Sequence, residues 1–168
     1  MKAPVLLDTS FLISLVNREN NRNNHDVAKE YYKLLLAQQS PIYFSAIVAA
    51  EIAIKQPITD LPLKNFRHIP FNIPHSVEAA RIWNLLGGHD SGDNRSVVKD
   101  DVKIMAQALH EGIPLILTED ASTLYKYCER LRVSNNLNIR AIKLADGFDA
   151  SALRLDGQKG VEFSFEEP

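Results

Sequence analysis

Short apolar runs recur along this chain, and each gives way within a few residues to a segment with helical spacing. Pro4-Val5-Leu6-Leu7 leads to a short helix expected from Phe11 to Val16. A longer one follows from about His25 to Gln39, where Val27, Tyr31, Leu34 and Leu35 share a face. Ser40-Pro41 stops that helix, Ile42-Tyr43-Phe44 reads as the next strand, and Ala46 to Lys55 as a helix apolar nearly all round and therefore buried. After a loop from Pro57 to Pro62, a short strand is expected at His68 to Phe71 and a helix at His75 to Leu86. The polar, glycine-rich stretch Gly87 to Asn94 precedes a helix from about Asp100 to Glu111. A buried strand at Ile113 to Thr118, a helix at Ser122 to Arg132 and a last strand at Arg140 to Leu144 complete the pattern. Repeated strand–helix units with short apolar strands predict an α/β sandwich, a central mostly parallel sheet flanked by helices.

The 168 residues suit one domain, read as residues 1–146 with a C-terminal extension or tail at 147–168 that is acidic at its end. Hydrophobic residues make up 45% and charged residues 24%, enough apolar content for a real core. The longest apolar run, Ile42 to Ile54, is interrupted by Ser45 and Glu51 and is too short to span a bilayer, so no membrane association is expected. No signal-peptide core precedes the first strand, and Cys128 is the only cysteine, so a reducing cytoplasm is the expected setting. The net charge of −2 and a pI near 6.2 disfavour a protein that grips nucleic acid by basic charge alone. A protein that draws phosphate in through bound cations escapes that objection.

The acids carry the chemistry. Glu51 sits in Ala46-Ile47-Val48-Ala49-Ala50-Glu51-Ile52-Ala53-Ile54, with no other charge until Lys55. An ionised carboxylate in such a helix is expensive unless it faces water, pairs with a cation or binds a metal. Asp8 ends the first strand, where ligands of open α/β sheets gather, although capping the next helix would also explain it. Asp120 repeats that arrangement after the strand at Ile113 to Thr118. Asp101 is expected in the first turn of its helix, where an acid complements the macrodipole, and Asp100 beside it could be the cap or trade places with it. Capping does not explain the set. If the acids converge, each pair of charges about 6 Å apart repels by roughly 3 kcal/mol at an effective dielectric near 20. Such a cluster persists only with a cation between its members or with raised pKa values. With no histidine or cysteine at metal-ligand spacing, the donor set favours Mg²⁺ or Mn²⁺ over Zn²⁺.

The segments Val5-Leu6-Leu7-Asp8-Thr9-Ser10 and Ser45-Ala46-Ile47-Val48-Ala49-Ala50-Glu51 resemble the first two motifs of PIN domains. Lys99-Asp100-Asp101-Val102-Lys103-Ile104-Met105-Ala106 and Gly112-Ile113-Pro114-Leu115-Ile116-Leu117-Thr118-Glu119-Asp120 are similar to the last two. The resemblance runs from about Pro4 to Leu144 and implies a Mg²⁺- or Mn²⁺-dependent endoribonuclease acting on RNA, of the kind that includes VapC-like toxins neutralised by an antitoxin. It implies Asp8, Glu51, Asp101 and Asp120 as the acidic, metal-holding site, Thr9 and Thr118 as polar neighbours near water or phosphate, and self-association into a homo-oligomer, a dimer. Lys55, Arg95, Lys99 and Lys103 lie near the motifs and could steer an RNA backbone, against the commoner role of solvated surface charge.

The competing possibilities are a silent PIN scaffold that holds RNA or a protein partner, and a phosphoryl-transfer enzyme. Retention of all four acids opposes the first. Ser10, where a haloacid-dehalogenase-like phosphatase needs a second aspartate, opposes the other. Convergence of the acids makes a thermal prediction: Asp8→Asn raises the melting midpoint in EDTA by relieving repulsion, and a lowered midpoint would count against a converged cluster.

Overall fold

The computed structural model describes residues 2–155. A five-stranded sheet runs through the middle in the order β3-β2-β1-β4-β5, with β1 at Val5–Leu7, β2 at Ile42–Ser45, β3 at Arg67–Ile69, β4 at Leu115–Thr118 and β5 at Arg140–Lys143. All four pairings are parallel, with Leu7 opposite Phe44 on one side and Leu117 on the other. The apolar, unalternating strands follow from this: β1 and β4 are buried along their whole length, as a sheet covered on both faces requires.

Helices α1 (Thr9–Val16), α2 (Arg22–Ala37), α3 (Ala46–Lys55), α4 (Ile73–Leu86), α5 (Arg95–His110) and α6 (Leu124–Asn135) connect the strands. The chain leaves β1 towards β2 and β3 and then returns past β1 to β4, so the strand order reverses between β1 and β4. In open α/β sheets the crevice outside the strand ends at that switch point is where ligands bind. Asp8 follows β1 and Asp120 lies just beyond β4.

Two helix starts and the burial of a third helix differ from expectation in ways that matter. Helix α5 begins at Arg95, five residues before the expected Asp100, because Asn94 caps it by accepting from Ser96 N–H at 2.9 Å and Val97 N–H at 3.4 Å. Asp101 therefore lies in the second turn, where neither capping nor the macrodipole explains it. Helix α2 starts at Arg22 rather than near His25, capped by Asn21, which accepts from Asn24 N–H at 3.0 Å. Helix α3 is not buried all round: it buries Val48 and Ile52 against the core but leaves Ile54 86% exposed. It flanks the sheet and packs one face against α1 and α5, so its remaining apolar residues meet solvent.

One buried polar contact sets how α3 and α5 sit. Gln107 of α5 has no exposed surface; its Oε1 accepts from Ser45 Oγ, and its Nε2 donates to the Pro70 carbonyl at 3.0 Å. Ser45 also caps α3 by accepting from Ile47 N–H at 3.0 Å. The loop between α4 and α5 is fastened as firmly. Arg130 donates to both oxygens of Asp90, at 3.0 and 2.8 Å, while Lys126 and the Tyr127 hydroxyl both donate to Asp93. Beyond β5, Phe148 meets the Tyr31 ring edge-on at 5.0 Å and Leu153 is buried; the rest of the expected tail, 156–168, lies outside the described residues.

Gln107→Ala strips Ser45 and the Pro70 carbonyl of their partner and opens a cavity. It is expected to destabilise the fold by about 2–4 kcal/mol, read as a lower urea midpoint at unchanged slope.

Candidate metal centre

The strand ends and helix faces meet in one cleft of about 360 Å³, lined by Asp8, Glu51, Asp101 and Asp120 together with Thr9, Ser10, Lys55, Asp100 and Glu119. The expected acids are thus brought together, each from a different element. Asp8 comes from the end of β1, and its backbone N–H extends the sheet ladder by donating to Leu117 at 3.0 Å. Glu51 reaches in from α3 and accepts from Thr9 Oγ1. Asp101 projects from α5, and Asp120 from the turn after β4.

The hydroxyl groups around the cleft hold carboxylates. Asp8, 5% exposed, accepts through Oδ2 from Ser10 Oγ and from Thr118 Oγ1, both at 2.8 Å. Thr118 has no exposed surface and also accepts from Asp120 N–H at 2.9 Å, so it ties the two strand ends together. Thr9, likewise expected beside water or phosphate, is buried with its hydroxyl on Glu51. Asp120 also has a structural role: its carboxylate accepts from Ser122 N–H at 2.8 Å, Thr123 N–H at 3.0 Å and Thr123 Oγ1, in the turn that leads into α6.

Burial raises the pKa of Asp8 above its ordinary value, and the nearby Glu51 charge adds to the rise, while the Thr118 and Ser10 hydrogen bonds oppose it. Asp120 also feels burial, but the hydrogen bonds from Thr123, Ser122 and Leu124 outweigh it and hold the group below its ordinary value. Asp101 is raised as well. Burial, followed by the charges of Asp8, Asp120 and Glu51, pushes it up to about 8, against one Thr123 hydrogen bond. Its Oδ2 is buried with no hydrogen-bond partner among the described residues. A carboxylate oxygen without a donor, acted on by the charges of three other acids, is what a cation ligand looks like without its cation. The donor set, all carboxylate oxygen, fits a hard divalent ion such as Mg²⁺ or Mn²⁺.

Arg95 and Lys99, expected near substrate, lie on another face of α5 and line a separate hollow with Trp83. The basic residue at the cleft itself is Lys55. Glu119, which adjoins Asp120, also lines the cleft, and no motif in the sequence marks it. Its carboxylate accepts from Ser14 Oγ at 2.6 Å and Asn24 Nδ2 at 3.0 Å, which ties α1 and α2 to the cleft wall. A second group with ligand potential, His75, His110 and Glu111, gathers at the far end of α5. There His75 Nδ1 accepts from Asn72 N–H at 3.2 Å, so the neutral ring carries its proton on Nε2 and donates to Glu111 at 2.7 Å. This arrangement caps α4 and leaves no lone pair on Nε2 for a metal. Cys128 is fully buried, and burial pushes its thiol up to about 12, which leaves no reactive thiolate.

Asp101 makes metal-free stability depend on pH. Its unfolded-state value lies near 4 and its folded value near 8, so its ionisation opposes folding. The penalty is absent below about pH 4, grows as pH rises towards 8 and is constant above. At pH 7.5 in EDTA, Asp101→Asn is expected to stabilise the protein on the order of 2–4 kcal/mol, a melting gain of roughly 5–10 °C that vanishes near pH 4. Equal melting of the two proteins at pH 7.5 would show that Asp101 carries no such penalty.

Comparison with known proteins bears on the fold and the family. No curated protein matches the sequence. Among solved structures, VapBC2 from Rickettsia felis bound to a DNA fragment from their promoter is similar over 83% of this chain and 97% of that one, at 18% identity and a TM-score of 0.57. FitAcB from Neisseria gonorrhoeae is similar over 84% of this chain and 98% of that one, at 17% identity and a TM-score of 0.57. DNA-bound VapBC from Salmonella typhimurium covers 84% and 98%, at 13% identity and a TM-score of 0.51. At such identities the likeness is one of fold. The family model of the PIN domain matches residues 5–130, from the first strand into α6, and this chain belongs to the PIN-domain family.

Proposed function

We propose that this protein is a Mg²⁺- or Mn²⁺-dependent endoribonuclease that hydrolyses phosphodiester bonds of RNA, with Asp8, Glu51, Asp101 and Asp120 as its metal-holding acids. The observation that carries the proposal is the partnerless, buried Oδ2 of Asp101 in one cleft with Asp8, Glu51 and Asp120, whose charges act on it. A bound divalent ion would supply activation of water and a positive charge beside the phosphate oxygens. The chain's own part is orientation. Ser10 and Thr118 fix the rotamer of Asp8, Thr9 fixes Glu51, and the turn that leads into α6 fixes Asp120, so three of the four ligands are preorganised before an ion arrives. Asp101 offers a fully buried oxygen with no hydrogen-bond donor among the described residues. Lys55 stands at the cleft as the cation able to approach a phosphate from the protein side.

A toxin role, an antitoxin partner and a dimeric state belong to the same proposal. They rest on the resemblance to VapC-like toxins and on a fold shared with VapBC2 of Rickettsia felis and FitAcB of Neisseria gonorrhoeae.

The deciding assay is cleavage of a mixed panel of labelled single-stranded RNAs with Mg²⁺, Mn²⁺ or EDTA, comparing wild type with Asp101→Asn. Metal-dependent cutting that falls at least about a hundredfold in the variant is expected. A folded wild type that neither cuts nor binds Mn²⁺ would instead favour a scaffold that holds RNA or a partner.

A further inference from the structure

Across α5 from the acidic cleft lies a second hollow of about 420 Å³, lined by Ala79 and Trp83 of α4 and by Arg95, Lys99, Val102 and Lys103 of α5. Its chemistry is the reverse of the cleft's, with three cations and an indole and no acid among its lining residues. Arg95, Lys99 and Lys103 follow one another at four-residue intervals, so they form a row along one helix face, about 6 Å apart along the axis. Like charges at that spacing weaken a helix, and in a chain of net charge −2 the row is a local exception. Arg95 and Lys99 are exposed and have no charged partner among the described residues. Lys103 donates to Asp100 at 2.9 Å, and Asp100 lines the acidic cleft, so one helix separates the two sites.

Trp83 is held in place from behind. Gly88, at φ +85°, lies against the indole, and the His89 ring meets it at 63° with centroids 6.1 Å apart. Both belong to the loop that Asp90 and Asp93 fasten to Arg130 and Lys126. An aromatic ring fixed in this way, beside a row of cations, is the recurring platform for unstacked bases on an extended phosphate backbone.

We propose that this hollow is a binding subsite for single-stranded RNA, in which Arg95, Lys99 and Lys103 take successive phosphates while a base stacks on Trp83. The strand then passes over α5 into the acidic cleft. That last step rests on the ribonuclease reading, whereas binding in the hollow does not. An acidic peptide would satisfy the cations but bring no flat ring to the indole, and a duplex keeps its bases stacked away from it.

Trp83 is the only tryptophan in the chain, so its emission reports on the site directly. The full-length protein is titrated in EDTA with a labelled oligouridylate, following tryptophan emission and RNA anisotropy together. The two signals are expected to saturate together. Trp83→Ala weakens binding roughly tenfold, and Arg95→Gln with Lys99→Gln lowers the salt slope of log K by about 1.4, or 0.7 for each lost phosphate contact. The double variant changes exposed positions only, so it carries the test if Trp83→Ala fails to fold. Heparin, a polyanion without bases, is expected to compete for the cations without quenching the indole. RNA binding with unchanged emission and an unchanged salt slope would put the strand elsewhere and overturn the subsite, as would the absence of RNA binding. Equal quenching by heparin would overturn base stacking in favour of a general polyanion patch. Quenching without cutting in Mg²⁺ or Mn²⁺ would retain the subsite and remove the nuclease reading. Cutting without quenching would do the opposite.

Discussion

Several carboxylates kept within reach of one another at the end of a sheet repel, and each also loses hydration as it is buried. The surroundings of the cleft answer those two penalties. Hydroxyls of Ser10 and Thr118 donate to Asp8, and Thr9 donates to Glu51, which replaces part of the lost hydration. The N–H groups of the turn that leads into α6 do the same for Asp120 and lower its pKa despite burial. Asp101 has less of this relief, and its Oδ2 has no hydrogen-bond donor among the described residues. It keeps its proton up to about pH 8, or would give it up to a cation. Burial and the neighbouring charges favour the neutral form of Asp101, so the cluster need not carry four full charges without a cation.

The cluster requires the elements to hold their positions. Parallel strands place Asp8 and Asp120 on adjacent ends at the switch point, and Thr118 ties those ends together. The remaining acids come from helices, whose placement depends on packing. Gln107 bridges the start of α3 and the end of β3 from within α5, a fully buried contact that couples the helix carrying Glu51 to the helix carrying Asp101. Its energetic role is specificity of placement, since a buried polar group satisfied in one arrangement is costly in any other.

The loop from Gly87 to Asn94 shows how local order can be obtained from polar residues. Arg130 and Lys126 hold Asp90 well below the usual carboxylate range, and Tyr127 adds its hydroxyl to Asp93. Exposed ion pairs taken singly contribute little, but a network built on a half-buried bidentate guanidinium fixes geometry. Here it holds the chain between α4 and α5, and with it the indole of Trp83 and the approach to the first turn of α5.

Much of this was legible in the residue order. Apolar runs without alternation specify strands buried on both faces, so the parallel α/β class follows from local pattern alone. Acids at the ends of two such runs, and one in an apolar helix, mark the site because ionised groups in those places need a reason. Three things were not legible. The start of α5 depended on Asn94 winning as cap over Asp100, a competition between two plausible caps separated by a few residues. The exposure of Ile54 on α3 reflects which face the sheet leaves uncovered, a property of packing and not of periodicity. The roles of Thr9 and Thr118 turned on contacts 42 and 108 to 110 residues away in sequence. Sequence alone determined which elements form and which charged residues they carry, because those depend on propensity and period within a few turns. Only the tertiary structure decided which of those charges meet, since bringing distant strand ends and helix faces to one point depends on strand order, helix docking and the few buried polar contacts that lock them.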